Sequence, residues 1–423
     1  MIRTSILLFW LIFGLGKSFA QVNPDKVYDF TIHTALIAPL GRPLDAPVLF
    51  LNSREQLQIS FDDFKAQYQD YYYTIELVDS AWKSIQMNDF EYVNGFNQNK
   101  ITSYSISSIA AQKYFHYQFN FPNNYCSPKL SGNYILKVYS DNNKDKIVFS
   151  KRFFVVENLT ELNALVQAPF DGAITRSHQK IKLAIDIKNV LNFQNDQLKV
   201  KVIQNNRYND SKEVSSPSFI RGNILEFNNE EDLLFPGGNE YRWLDLQSLR
   251  LRSDRIATIE NHSSLSTIIV KPDFSRTDIL YNSFRDLNGG YLIMNTESLQ
   301  SEIQNDYASV TFTYVTKDRK PLLDKKVYLA GAITNNVLDK NAEMQFDVKQ
   351  GVYQKTFLLK QGYYSYSYIL RDRELPNYME DFVETEGCYA ETENNYLVLV
   401  YYHAPGTRND QIIGFLNINS KQN

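Results

Sequence analysis

The sequence predicts an all-β protein made of tandem immunoglobulin-like β-sandwich domains. Three observations predict it. Aromatic residues are 14% of the 423, with 29 Tyr and 27 Phe, and such side chains suit pleated, half-buried surfaces better than helix interiors. Short apolar or alternating runs recur between turn signals at roughly 8–12-residue spacing, as sandwiches require. No stretch carries the sustained apolar period of a long amphipathic helix. With 17 Gly and 13 Pro the chain is not fibrous, and 43% hydrophobic against 22% charged residues argues against general disorder.

The elements follow in order. Residues 1–20 read as a signal peptide: Arg3 precedes the apolar run 6–13 (ILLFWLIF), and Ser18 and Ala20 place small residues before a cut. The run is shorter than the ~20 residues a spanning helix needs, so the mature chain is expected to begin at Gln21. An N-terminal β-sandwich is expected over 21–157. Within it, 56–61 alternates, 71–78 (YYYTIELV) is β-rich, and 114–121 (YFHYQFNF) puts Phe115, Tyr117, Phe119 and Phe121 on one face. Strand-like runs 133–140 and 147–156 flank the polar turn 141–146 (DNNKDK) as a closing hairpin. A second β domain is expected over 158–273, with strands at 181–187 and 198–203 and a hairpin around Gly222-Asn223. An Asp/Asn-rich extended connector is expected at 274–305, and a C-terminal immunoglobulin-like domain at 306–423 that ends on the apolar run 396–402 (YLVLVYY).

Chemistry is sparse. The net charge is −4 and falls to −6 when Arg3 and Lys17 leave. No Lys/Arg cluster offers itself to nucleic acid or to an anionic membrane. The five histidines (His33, His116, His178, His262 and His403) sit in no catalytic or metal-binding motif. The acidic runs Asp62-Asp63 and Glu230-Glu231-Asp232 are expected at turns or edges rather than as a glycosidase pair. Residues 141–145 carry oxygen ligands but lack the Gly and terminal Glu of a calcium loop. Cys126 and Cys388 are 262 positions apart in different expected domains, and whether they pair stays open. No cofactor, no metal and no catalytic residue is expected. Strands near 327–331, 351–353 and 362–366 are similar to glycogen-binding modules, which makes an exported glycan-binding protein the alternative, with Tyr364 and Tyr366 as its platform. The turn 332–336 (AITNN) lacks the Trp such modules use.

Several segments together resemble the type IX secretion system plug protein family. They are 57–63 (LQISFDD), 71–75 (YYYTI), Asp79-x-x-Trp82, 91–97 (EYVNGFN), 128–134 (PKLSGNY), 237–242 (GGNEYR) and 248–250 (SLR). Further along are Asp286-x-Asn288-Gly289, Asp306-Tyr307, Glu386-Gly387, Glu391-Thr392-Glu393-Asn394-x-Tyr396, 400–402 (VYY) and Gly406-x-Arg408-x-Asp410. The resemblance implies a non-enzymatic periplasmic subunit, peripherally associated with the outer membrane, that closes the periplasmic mouth of the translocon β-barrel without inserting into the membrane itself. For the contact with that barrel, Tyr71, Tyr72, Tyr73, Asn94 and Phe96 are the candidate residues, on loops rich in Tyr and Asn.

Overall fold

In the computed structural model the described residues are 23–108, 110–190, 193–296, 301–373 and 381–421. The expected signal peptide lies outside them. The regular structure is almost entirely strand, and the α-helices among the described residues are four residues long. Strands pack as three sandwiches, and two of these share a wall. That wall is a ten-stranded sheet running Lys212–Val214, Leu198–Gln204, Asn395–Tyr402, Gln411–Asn419, Ile147–Val156, Gly132–Ser140, Tyr71–Val78 and Asn99–Lys100, with Lys26–Val27 and Val48–Phe50 also on the strand Ile147–Val156.

The first half of this wall packs against the four-stranded sheet Ile32–Pro39, Leu57–Asp63, Phe115–Phe121 and Tyr104–Ile106. Phe61, Tyr71, Tyr117, Tyr134, Phe149 and Phe153 fill the core between them. Ring pairs such as Phe61–Tyr117, 5.0 Å apart and stacked, and Phe61–Tyr71, 5.1 Å apart and edge-on, give that core its aromatic character. The second half packs against a five-stranded sheet that includes Glu161–Gln167, His178–Asp186 and Ile224–Phe227, around Leu183, Val200, Phe227, Val398 and Val400. The halves join where Val156 pairs parallel with Ile412. The third sandwich sets a six-stranded sheet, centred on Tyr307–Val315 and Val352–Lys360, against Arg242–Asp245, Tyr291–Ile293, Lys325–Ala330 and Gly362–Asp372.

The contiguous division at 158–273 and 306–423 is corrected by these cores. Asn395–Tyr402 and Gln411–Asn419 return to complete the second sandwich, not the third. Arg242–Asp245, Ile256–Glu260 and Ser266–Val270 belong to the third. The reason is burial: Tyr396–Tyr402 is solvent-free on both faces, so that strand needs a central place in a sheet covered on both sides. The connector region contributes Tyr291–Ile293 as an added strand.

Candidate functional site

The five candidate contact residues separate sharply. The strand Tyr71–Val78 lies inside the shared wall, paired along its length with Gly132–Ser140, so alternation decides which ring is hidden. Tyr71 and Tyr73 point into the first core at 0% and 2% exposure. The Tyr71 hydroxyl donates to Asp63 Oδ2 at 2.8 Å. The Tyr73 hydroxyl accepts from Asn123 Nδ2 at 2.8 Å, and its ring stacks on Phe119 at 4.5 Å. Both are core residues, which corrects their reading as contacts. Tyr72 faces the other way, half-buried and stacked on Tyr139 at 5.9 Å.

Asn94 and Phe96 are exposed, Phe96 at 75%. They sit on a two-stranded ribbon in which Val93–Gly95 pairs antiparallel with Cys126–Pro128. Gly95 has φ +84°, and a Cβ there would fall 2.1 Å from the Tyr125 carbonyl oxygen. Only glycine lets the strands approach so closely. The base is fixed. Tyr92, Val93 and Cys126 are buried in the first core. Asn97 clamps the wall by donating to the Ile75 carbonyl and accepting its N–H, both at 2.8 Å. On this anchored base Phe90, Phe96 and Tyr125 are 72%, 75% and 70% exposed. Sequence reasoning missed Phe90 and Tyr125, because a ring in a four-residue helix (Asp89–Tyr92) or in a turn has no period to announce it. The backbone pairing of 93–95 with 126–128 is what brings Tyr125 beside Phe96.

The remaining resemblance segments converge on buried polar joints. Asp62, expected at an edge, lies in the middle of the sheet and is fully buried. Its Oδ2 accepts from Lys360 Nζ at 2.6 Å and from the Tyr307 hydroxyl at 2.5 Å, and its Oδ1 meets His116 Nδ1 at 2.6 Å. Burial pushes this carboxyl up, but Lys360 and His116 outweigh it and hold Asp62 below the ordinary carboxylate range. Lys360 and Tyr307 come from the third sandwich, so the cluster rivets the first to the third. This also explains why His116 is buried, although it belongs to the expected wet face of its strand.

Within the third sandwich, Arg242 bridges Asp273 and Glu386, with Nη1 to Asp273 Oδ1 at 2.9 Å and Nε to Glu386 Oε1 at 3.0 Å. The first and second sandwiches meet through Arg408 on Glu91, Asp410 Oδ2 accepting from the Ser80 N–H at 2.8 Å and the Tyr401 hydroxyl donating to Asn133 Oδ1 at 2.8 Å. Arg152, ion-paired to Asp25, lies between the rings of Trp82 at 4.6 Å and Tyr208 at 4.1 Å. Trp82 reaches it from a left-handed turn at φ +63°, whose Ala81 and Lys83 N–H groups donate to Asp79 Oδ1.

Where the three sandwiches meet, a cleft of about 560 Å³ opens, lined by loops 43–47, 285–291 and 332–336 and by the strand ends at Asn395, Asn417 and Asn419. At its edge Asp286 accepts from the Asn288 N–H at 2.5 Å and from the Tyr241 N–H. Burial, with Glu240 and Glu393 adding to it against those two bonds, pushes its carboxyl up to about 7. Lys151, buried beside the cleft, donates to Asn335 Oδ1 at 2.6 Å, and desolvation holds its amine below the ordinary lysine value. Tyr364 and Tyr366, the expected glycan platform, are 2% and 0% exposed. They fill the third core, which removes that platform. Cys126 and Cys388 are unpaired. Among the described residues no group of three His, Cys, Asp or Glu is placed to hold a metal, and no helix is long and apolar enough to cross a membrane.

Fold and joints define the class: an all-β body of three sandwiches locked by buried polar contacts, with an exposed aromatic ribbon on the first. Residues 32–157 match the family model described as the type 9 secretion system plug protein 1st domain. That stretch of the chain is a plug-family first domain. A crystal structure of a hypothetical protein from Parabacteroides merdae is 30% identical, with a TM-score of 0.89 over 93% of this chain and 98% of that one. An alkylpurine DNA glycosylase, AlkC, from Pseudomonas fluorescens shares 13% identity over 30% of each chain at a TM-score of 0.16. Dimeric latent PorU from Porphyromonas gingivalis shares 8% over 92% of this chain and 34% of its own at 0.15. At those scores neither carries an argument. No curated protein matches the sequence.

Proposed function

We propose that the protein is a non-enzymatic plug of the type IX secretion system, exported to the periplasm, which docks reversibly on the periplasmic mouth of the translocon β-barrel and seals it. The observation that carries this reading is the match of residues 32–157 to the plug first domain. The physics supports it. A very large barrel encloses a water-filled lumen that leaks if uncovered, and a cover must resist deformation more than it must do chemistry. The shared ten-stranded wall and the buried joints make the three sandwiches one stiff body. Docking that cargo can displace calls for a modest interface with a few aromatic anchors in a polar surround. Phe96, Phe90 and Tyr125, with Asn94 beside them, supply such a set within the matched domain, and Tyr72 contributes only its exposed edge. The test is capture of the outer-membrane barrel from solubilised membranes by the tagged chain, together with a deletion strain. The plug reading expects the barrel in the pull-down and entry of large antibiotics into the deletion strain. A capture without barrel and a strain that still excludes those antibiotics would sink it.

A further inference from the structure

A second concave site lies on the third sandwich, away from the aromatic ribbon. Residues of the 274–305 connector fold over the strand Arg242–Asp245 and enclose a pocket of about 240 Å³. That is below the ~300–1,000 Å³ of sites for drug-sized ligands, and it suits a group the size of one aromatic residue. Its walls are the rings of Trp243 and Phe284, set edge-to-face at 5.0 Å, and its lip is Leu280, 92% exposed. A side chain so exposed beside a hollow leaves apolar surface uncovered in the free protein.

The charge beneath the pocket is unbalanced. Arg242, Arg255 and Arg276 all line it, and their anionic partners are Asp273 and Glu386. Three guanidiniums thus meet two carboxylates. Asp254, the further anion at this place, is exposed and reaches only Trp243 Nε1, at 3.4 Å. The Arg255 Nε is buried with no hydrogen-bond partner, an unmet donor that costs free energy, while the side chain as a whole is 25% exposed. Arg255 also lies 5.9 Å from the centre of the Trp243 ring. Guanidinium planes pair with carboxylates and stack on aromatic faces.

We propose that this pocket binds an aromatic monocarboxylate, a ring that packs against the touching Trp243 and Phe284 rings beneath Leu280 with its carboxylate on Arg255. Such a group is found both in small aromatic acids and in the terminal residue of a protein chain that ends in Phe, Tyr or Trp. The inference is independent of the plug reading, since it concerns a different sandwich and needs no barrel.

Trp243 is its own reporter. The chain from residue 21 holds two indoles, Trp82 and Trp243, and a Trp243→Phe variant identifies the signal. Three probes are titrated while indole emission is followed: the pentapeptide acetyl-Gly-Ser-Gly-Ser-Phe with a free carboxyl terminus, the same peptide amidated, and phenylacetate. The free-acid peptide is expected to saturate the Trp243 signal, and the amide to bind at least tenfold more weakly. A tighter response to the peptide than to phenylacetate assigns the site to chain termini, and the reverse assigns it to small acids. Arg255→Gln should weaken the acid at least tenfold. Leu280→Ser, which leaves the ion pairs untouched, should weaken acid and amide alike while circular dichroism stays that of the parent. Equal binding of acid and amide, acid affinity unchanged in Arg255→Gln, or no titration up to millimolar probe would overturn the proposal.

Discussion

The Asp62 joint and the Phe96 ribbon belong to the same domain and follow opposite rules. Asp62 spends its polar atoms on partners from two sandwiches and has no contact with water. Phe96 and Tyr125, at the ends of a paired ribbon, and Phe90, on the short helix Asp89–Tyr92 that leads into it, present apolar rings to solvent. In one region charge is buried and fixes geometry, and in the other apolar surface is left bare. The difference separates the residues that hold the fold from those the proposed docking would use, so each set can be changed without the other.

The largest effect is expected at the joint. Lys360→Met leaves the buried Asp62 carboxylate facing only His116 and Tyr307. Losing one partner of a buried pair typically costs about 3–5 kcal/mol, so urea unfolding should shift by that order. Adding Asp62→Asn should recover part of the loss, because neighbours in one network are not additive. A Lys360→Met chain as stable as the parent would show that the joint does not hold the sandwiches together.

Two carboxyls predict opposite slopes with pH. Asp62 is held below its ordinary 3.8 in the fold. Its contribution is complete above that value and is lost as pH falls through the lower folded one. Asp286 is raised from 3.8 to about 7. The folded chain keeps that proton where the unfolded chain has released it, so stability declines as pH climbs from about 4 to about 7 and is level above. Asp286→Asn should flatten the decline in a series of melting curves, and an unchanged slope would remove Asp286 as its source.

Smaller again is the ribbon's own fold. Gly95→Ala forces a left-handed residue and a clash with the Tyr125 carbonyl, a strain of about 1–3 kcal/mol that hydrogen exchange should localise to 93–97 and 125–128. Smallest is Phe96→Ser with Tyr125→Ser. These exposed positions should each move stability within about 0.5 kcal/mol, and a larger loss would mean that the rings are structural after all.

Much of the fold was legible because period-two alternation and turn chemistry are local. The hairpin of Gly132–Ser140 with Ile147–Val156 and the buried strand at 396–402 follow from their own residues. The pairing of Asn395–Tyr402 with Leu198–Gln204 does not, since nothing in either strand names a partner nearly two hundred residues away. The site divides in the same way. Phe96 stands in the polar run Asn94-Gly95-Phe96-Asn97 and is readable as exposed. Tyr71 and Tyr73 differ from Tyr72 only by which face of the strand they occupy, and a run of three tyrosines does not state its register. Asp62-Asp63 looked like a surface pair because Lys360, the group that makes burial tolerable, comes from another sandwich.

Docking through the ribbon is decided by capturing the outer-membrane barrel from solubilised membranes with the parent chain and with the Phe96→Ser, Tyr125→Ser double variant, both first shown to melt at the same temperature. The parent is expected to bring down the barrel, and the double variant to recover at most a tenth as much. No barrel with the parent, or equal barrel with both, would contradict it.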